Sequence, residues 1–226
     1  MANRDFIVFD FETGSRNPHK TQPTQIAAIA LDGRNLSVKG TFDSEIRPIL
    51  NDDAAIVAGL DPIEDGALKV TGKNRKDLAK APSLKSVWKK FCTFVDKYNW
   101  KKDPFFNPIP VGFNIIGFYM VIINRMCKEY GPYDETRQQQ KIFSKIHKCD
   151  VMDNMHMWTE GDPSIRSISM DTLRDRMGLS KENAHDALQD VKDTANIFIK
   201  LLKTHRAVYQ NIELDKAFAN GNLYVK

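Results

Sequence analysis

Two carboxylates near the start of the chain stand at a spacing that suits a metal ion. Asp10 and Glu12 lie in the sequence Asp-Phe-Glu-Thr, at the end of the apolar run 5–12. Alternate residues of a strand point to the same face, with Cα atoms about 6.5 Å apart. Buried carboxylates this close repel each other unless a cation neutralises them, which predicts a divalent metal. The alternative is an exposed strand end with both side chains in water.

A second group of polar residues opens the last strong helical pattern of the chain. His185 and Asp190 lie in the segment 183–190, and Asp190 falls on the edge of the apolar stripe of that helix. A carboxylate on a helix packed over a sheet can complete a metal site that begins on a strand. His185, whose ordinary pKa is near neutrality, is suited to remove a proton from water. Acidic residues that merely stabilise the helix dipole are the alternative.

The elements that would position these residues predict one α/β domain with a mixed sheet. Their hydrophobic periods predict strands over 5–12, 25–31, 36–46 and 109–113, and helices over 83–98, 115–130, 169–178 and 185–203. The first three strands form an antiparallel meander, and the later mixture of strands and helices favours a sheet flanked by helices.

Composition excludes several classes of protein. The chain has 226 residues, 42% hydrophobic and 27% charged, which is typical of a folded domain rather than a disordered one. Its three cysteines are widely spaced, which argues against a disulfide framework and predicts a reducing compartment. Neither a leader peptide nor a membrane segment is indicated, so we expect a cytoplasmic protein without a membrane partner.

The net charge of +4 hides a strong local asymmetry. Residues 66–102 contain eleven basic and two acidic side chains, a net charge of +9 that leaves the rest of the chain at −5. A basic stretch beside an acidic body favours a polyanion-binding enzyme with carboxylates at its centre. A solvated helix face is the alternative interpretation.

These motifs together resemble those of the DEDDh 3′–5′ exonucleases, the DnaQ-like branch of the ribonuclease H-like superfamily. The resemblance is carried by Asp-Phe-Glu-Thr at 10–13, Val-Thr-Gly at 70–72, the segment 170–179 and Ala-His-Asp-Ala-Leu-Gln-Asp at 184–190. It implies a ribonuclease H-like mixed sheet, an antiparallel meander plus parallel strands, in a single domain over 1–226. The core spans about 5–203, and 204–226 is a C-terminal extension.

The resemblance also implies a two-metal mechanism. Members of the family hydrolyse nucleic acid from its 3′ end with two Mg²⁺ or Mn²⁺ ions. By position, Asp10 bridges both ions, Glu12 and Asp190 hold the ion that activates water, and His185 is the general base.

The implied substrate is the 3′ end of single-stranded DNA or RNA, whereas no protein partner is indicated. The backbone around Phe11 and Thr13 and the side chain of Asn114 are expected beside the terminal nucleotide, although the strand alternation favours a core position for the Phe11 ring. In the basic segment, Lys73 and Arg75 are expected to contact phosphates.

One position departs from the family pattern. The second motif, His-Asn-x-x-Phe-Asp, aligns with residues 113–119, where Phe113 replaces the histidine and Tyr119 takes the place of the fourth acid. A phenol is neutral at pH 7 and a poor Mg²⁺ ligand, so the second ion is expected to bind more weakly.

Three explanations of Tyr119 stay open. Water or a substrate phosphate replaces the missing ligand in an active enzyme, the chain is a natural pseudo-exonuclease that still binds, or the tyrosine was introduced to keep substrate intact. A catalytically silent binding or interaction module is therefore the alternative function, and a hydrolase of another phosphodiester, such as a signalling nucleotide, is a third.

Overall fold

The computed structural model describes residues 4–180 and 186–211. Within these ranges the strands are Phe6–Thr13 (β1), Pro23–Leu31 (β2), Val38–Glu45 (β3), Ile109–Gly112 (β4), Tyr133–Asp134 (β5), Gln139–Gln140 (β6) and Cys149–Asp150 (β7). The α-helices are Asp52–Val57 (α1), Asp65–Thr71 (α2), Arg75–Leu78 (α3), Leu84–Asp96 (α4), Met120–Tyr130 (α5), Val151–Thr159 (α6), Met170–Met177 (α7) and Ala187–Asn211 (α8).

Five of the strands form one sheet in the order β3-β2-β1-β4-β7. The pairs β1–β2 and β2–β3 are antiparallel, whereas β4 is parallel to both β1 and β7. This is the predicted meander joined to parallel strands, and it confirms the ribonuclease H-like fold class. β1 lies at the centre, so its carboxyl end opens at the middle of the sheet edge.

The two faces of β1 belong to two separate hydrophobic clusters. Ile7, Phe9 and Phe11 pack with residues of α4 and α5 on one face. Phe6 and Val8 pack with residues of α8 on the other. The two-residue period therefore places Asp10 and Glu12 on the α8 face, at the end where the hydrophobic residues stop.

Two aromatic side chains are buried on the α4 face of the sheet. The Trp88 ring belongs to the core, and its indole N–H donates to the Gly131 carbonyl at 2.7 Å. The Phe11 side chain is 4% exposed and belongs to the same cluster, as the strand alternation predicts.

The predicted helix 115–130 differs at its start. Residues Ile115–Tyr119 form a wide π-type turn before α5 begins. Asn114 takes a left-handed backbone conformation with φ of 57°. The Asp150 carboxylate accepts the backbone N–H groups of Asn114 and Ile116 at 3.0 and 3.1 Å. A side chain from β7, remote in sequence, thus satisfies donors that an ordinary helix start leaves unpaired.

Other differences are in length. α1 and α2 have six and seven residues, too few for their periodicity to stand out in the weakly patterned stretch 51–73. α8 continues to Asn211, beyond the predicted end at 203. The three cysteines are free thiols, as expected. Over residues 4–180 and 186–211, every helix is too short or too polar to cross a bilayer.

Candidate active site

Three carboxylates meet where β1 ends under the start of α8. Asp10, Glu12 and Asp190 each offer an oxygen, and these oxygens all lie within 4.8 Å of one another. Asp10 and Glu12 are buried, at 7% and 9% exposure, whereas 19% of the Asp190 side chain is exposed. The cluster is therefore closed towards the protein and open on the helix side.

Local hydrogen bonds fix the start of α8 above the strand. Asp186 Oδ1 accepts the backbone N–H groups of Leu188 and Gln189 at 3.1 and 3.2 Å, which caps the helix. The Gln25 side-chain amide, opposite Glu12 in the β1–β2 register, donates to Asp186 Oδ2 at 3.3 Å. The sheet thus holds the first turn of α8, from which Asp190 reaches the strand carboxylates.

Burial and mutual repulsion disfavour ionisation of the strand carboxylates. Burial, reinforced by the charges of Glu12 and Asp190, raises the pKa of Asp10 well above its ordinary value. Burial together with the Asp190 charge raises the pKa of Glu12 to about 8. Closely spaced oxygen donors with this unfavourable charge suit a hard divalent cation, which would relieve both the repulsion and the desolvation.

Tyr119 closes the cluster on the α5 side. Its ring lies 6.1 Å from the Phe11 ring and 6.3 Å from the Phe9 ring, between centroids. Burial and the neighbouring Asp10 charge raise the pKa of its phenol well above the ordinary value, so the group stays protonated. The phenol hydroxyl forms a hydrogen bond with the Asp10 carboxylate, which offsets part of the rise in the pKa of Asp10.

A buried arginine holds the third carboxylate from behind. The Arg174 side chain, on α7, is fully buried. It donates to Asp190 Oδ1 at 2.5 Å and to Asp193 Oδ2 at 2.8 Å, and it reaches Asp171 at 3.1 Å. Because the guanidinium engages one oxygen of Asp190, it orients this carboxylate towards β1.

Sequence reasoning missed Arg174 and Asp193. The pattern of α7 indicates that Leu173 faces the core, but nothing in a single sequence indicates that the next residue is buried as well. Asp190 and Asp193 are three residues apart and share a face of α8, which is the available signal for a common partner.

The predicted basic contacts are largely engaged by other protein groups. Lys73 Nζ lies 3.7 Å from Glu45 Oε1, and the Lys73 charge lowers the pKa of Glu12, so this lysine is near the cluster. Arg75 donates to the Ile63 carbonyl at 2.6 Å and pairs with Asp65 at 3.1 Å.

The other predicted substrate contacts follow the carboxyl ends of β1 and β4. Thr13 ends β1 and its hydroxyl donates to the Ser15 carbonyl at 3.0 Å. Asn114 is exposed at the end of β4, next to the turn that carries Tyr119. His185, the predicted general base, lies outside the described residues.

Comparison with known proteins relates this arrangement to nucleases. Residues 7–198 match the sequence model of the exonuclease family RNase_T. A DNA polymerase III of the PolC type from Caldanaerobacter subterraneus subsp. tengcongensis is 23% identical over 199 residues, covering 88% of this chain and 12% of the polymerase.

Solved structures of exonuclease I have the same fold. One matches with a TM-score of 0.70 and 21% identity over 89% of this chain and 41% of its own length. The E. coli exonuclease I complex with a dT13 oligonucleotide matches with a TM-score of 0.69 and 20% identity. This match covers 92% of this chain and 43% of the length of exonuclease I. The chain thus spans less than half the length of these relatives. The family match covers both β1 and the start of α8, and this chain belongs to the RNase_T exonuclease family, DnaQ-like nucleases with a ribonuclease H-like fold.

Proposed function

We propose that this chain is a metal-dependent 3′–5′ exonuclease that hydrolyses single-stranded DNA or RNA. The observation that carries the proposal is the convergence of Asp10, Glu12 and Asp190 within 4.8 Å at the centre of the sheet edge. Membership of the exonuclease family supports the hydrolysis of phosphodiester bonds. The oligonucleotide bound to E. coli exonuclease I supports a single-stranded substrate.

The acidic cluster fits a divalent cation, Mg²⁺ or Mn²⁺. Asp10, Glu12 and Asp190 would hold it, with Asp10 shared with a second ion. Such a cation, when bound, supplies Lewis-acid polarisation of the phosphodiester and lowers the pKa of a bound water. The burial of Asp10 and Glu12 limits competition from bulk water for their oxygens.

The remaining chemistry falls to side chains of the chain itself. Arg174 holds Asp190 in one orientation through the 2.5 Å hydrogen bond. In the proposal, the His185 imidazole accepts the proton of the attacking water. Asn114 and the backbone at Phe11 and Thr13 position the terminal nucleotide, and Lys73 and Arg75 lie on its phosphate side.

Tyr119 is the reason to propose attenuated activity. The neutral phenol of Tyr119 provides no carboxylate for the second ion. It is also hydrogen-bonded to Asp10, the carboxylate that the two ions would share. The same observation favours the alternative, a catalytically silent exonuclease-fold module that binds nucleic acid or interacts with a partner.

An oligonucleotide assay tests the proposed function. Purified protein with Mg²⁺ or Mn²⁺ should shorten a 5′-labelled single strand one nucleotide at a time from its 3′ end, and Asp10→Ala should abolish this. No shortening with either metal would refute the catalytic proposal.

Replacement of the tyrosine separates the two functions. Tyr119→Asp restores the fourth carboxylate and should raise the cleavage rate about tenfold or more, because the second ion gains a ligand. Tyr119→Phe is the matched control and should not increase the rate. Cleavage by Tyr119→Asp alone, with none by the native chain, would establish the silent module.

A further inference from the structure

A basic cavity of about 570 Å³ opens beside the start of α5. Its volume is in the range of small-ligand sites. None of the acidic side chains in the described ranges lines it. The polar side chains that line it include His19, Asn124, Arg125, Lys128, Lys145 and Lys148.

The cavity adjoins the same sheet edge as the acidic cluster. Ile116 and Met120, which lie on either side of Tyr119 in the sequence, form part of its wall. Tyr119 in turn is hydrogen-bonded to Asp10. His19 belongs to the loop that follows β1, the strand of Asp10 and Glu12. A ligand in the cavity would therefore contact both the loop that follows β1 and the turn that carries Tyr119.

Much of the positive charge in the cavity lacks a carboxylate partner. Lys145 pairs with Asp134 at 3.2 Å. In contrast, Lys128 and Lys148 form no salt bridge with any residue that the structure describes, and Lys148 Nζ contacts only a carbonyl, that of Lys145 at 3.4 Å. Two lysines thus remain available to an anion.

Arg125 adds an independent indication. Its Nη2 donates to the Thr21 carbonyl, but its Nε and Nη1 are buried and have no hydrogen-bond partner in the described part of the chain. Buried donors without a partner are costly and uncommon. Arg125 lines this cavity and also a neighbouring one that includes Thr21 and Glu129. A movement of the guanidinium into the basic cavity would let a phosphate oxygen satisfy these donors.

The α4 part of the basic segment 66–102 lies on another face of the sheet than the acidic cluster. α4, which carries several of its lysines, packs on the sheet face opposite Asp10 and Glu12. Lys85 and Lys89 line another cavity, together with Asp96. The α4 lysines therefore do not share the face of the acidic cluster, whereas Lys73, from the same segment, lies near it.

We propose that the basic cavity binds the phosphates of the substrate strand upstream of the 3′-terminal nucleotide. This inference rests on the proposed function and adds a second subsite to it. Arg125, Lys128 and Lys148 would contact the non-bridging phosphate oxygens of a single strand whose 3′ end lies at the acidic cluster. Lysine and arginine contacts of this kind bind without regard to sequence and weaken with salt.

Binding measurements with charge-removing variants test the subsite. The probe is a 5′-fluorescein twelve-nucleotide oligothymidylate, titrated in EDTA at 50 and 200 mM salt so that hydrolysis does not interfere. Lys128→Ala and Lys148→Ala should each weaken binding about three- to tenfold at the lower salt and reduce the slope of log K against log salt by about 0.7. Lys89→Ala, an equal change of charge on α4, is the matched control and should leave both quantities nearly unchanged.

A substrate without an upstream phosphate distinguishes this proposal from the proposed function. Lys128→Ala and Lys148→Ala should cleave the p-nitrophenyl ester of thymidine 5′-phosphate as the native chain does. If the native chain cleaves neither the oligonucleotide nor the ester, the exonuclease proposal fails. The binding measurements with the oligothymidylate would still decide whether the subsite exists.

Three outcomes would overturn the subsite. The first is an unchanged affinity and salt slope in both lysine variants. The second is an equal loss in Lys89→Ala, which would indicate diffuse attraction. The third concerns a second probe, fluorescein-labelled oligoglutamate, titrated in the same way. If Lys128→Ala lost the binding of oligoglutamate but kept that of the oligonucleotide, the cavity would be assigned to an acidic peptide.

Discussion

Two groups of carboxylates meet at the start of α8 and are neutralised in different ways. Asp171 and Asp193 share the fully buried guanidinium of Arg174. Asp10 and Glu12 are nearly as buried as Asp193, yet neither forms a salt bridge within the described ranges. Asp190 belongs to both groups. Arg174 thus provides a cation for Asp171 and Asp193, whereas Asp10 and Glu12 depend on a cation from solution. The first group is structural, and the second is the candidate metal site.

Removal of the internal cation should have the largest effect. Arg174→Met leaves Asp193, whose side chain is 4% exposed, as an uncompensated buried charge, and it also releases Asp190. We expect the free energy of unfolding to fall by about 3–5 kcal/mol, measured by urea denaturation. Arg174→Lys should recover part of this loss. A decrease below about 1 kcal/mol would show that the arginine does not stabilise the cluster.

Removal of the buried Glu12 carboxylate, which has no salt-bridge partner in the described ranges, should instead raise the free energy of unfolding. The pKa of Glu12 in the folded state is about 8, above its ordinary value of 4.5. Between these values the native state holds a proton that the unfolded chain releases, so the metal-free protein loses stability as pH rises from about 4.5 to 8. Glu12→Gln removes this loss and should stabilise the metal-free protein at pH 8 by on the order of 2–4 kcal/mol.

Thermal unfolding in EDTA at pH 4 and pH 8 measures the difference between Glu12→Gln and the native chain. The gain should be present at pH 8 and nearly absent at pH 4, where Glu12 is mostly protonated in both states. A variant less stable than the native chain at pH 8 would mean that the carboxylate is already compensated.

The exposed member of the arginine cluster should matter least. The Asp171 side chain is 53% exposed, so water solvates it in the folded and the unfolded protein alike. Asp171→Asn should cost less than about 1 kcal/mol in urea denaturation, because exposed ion pairs contribute little. Asp193→Asn, at the buried end of the same guanidinium, is the comparison and should cost clearly more. Equal costs would show that burial does not distinguish the two contacts.

The sequence predicted what depends on local periods. The alternation of β1 placed Asp10 and Glu12 on one face and the Phe11 ring on the other, and the stripe of α8 placed Asp190 on the inner edge. These predictions follow from side-chain direction, which strand and helix geometry determine locally.

Contacts between distant segments were not predictable in this way. The burial of Arg174 depends on how α7 packs against α8, and the wide turn before Tyr119 depends on Asp150 from β7. The position of the α4 lysines was not predictable for the same reason, because charge along a sequence does not indicate which face of the sheet a helix will cover.

Binding of Mn²⁺ tests the central claim most directly. Calorimetric titration of the native chain at pH 7.5 should detect an ion at the acidic cluster, accompanied by release of protons because the raised pKa values of Asp10 and Glu12 leave protons to displace. Asp10→Ala, folded by circular dichroism, should lose this binding. A native chain that binds no Mn²⁺ while correctly folded would contradict the account.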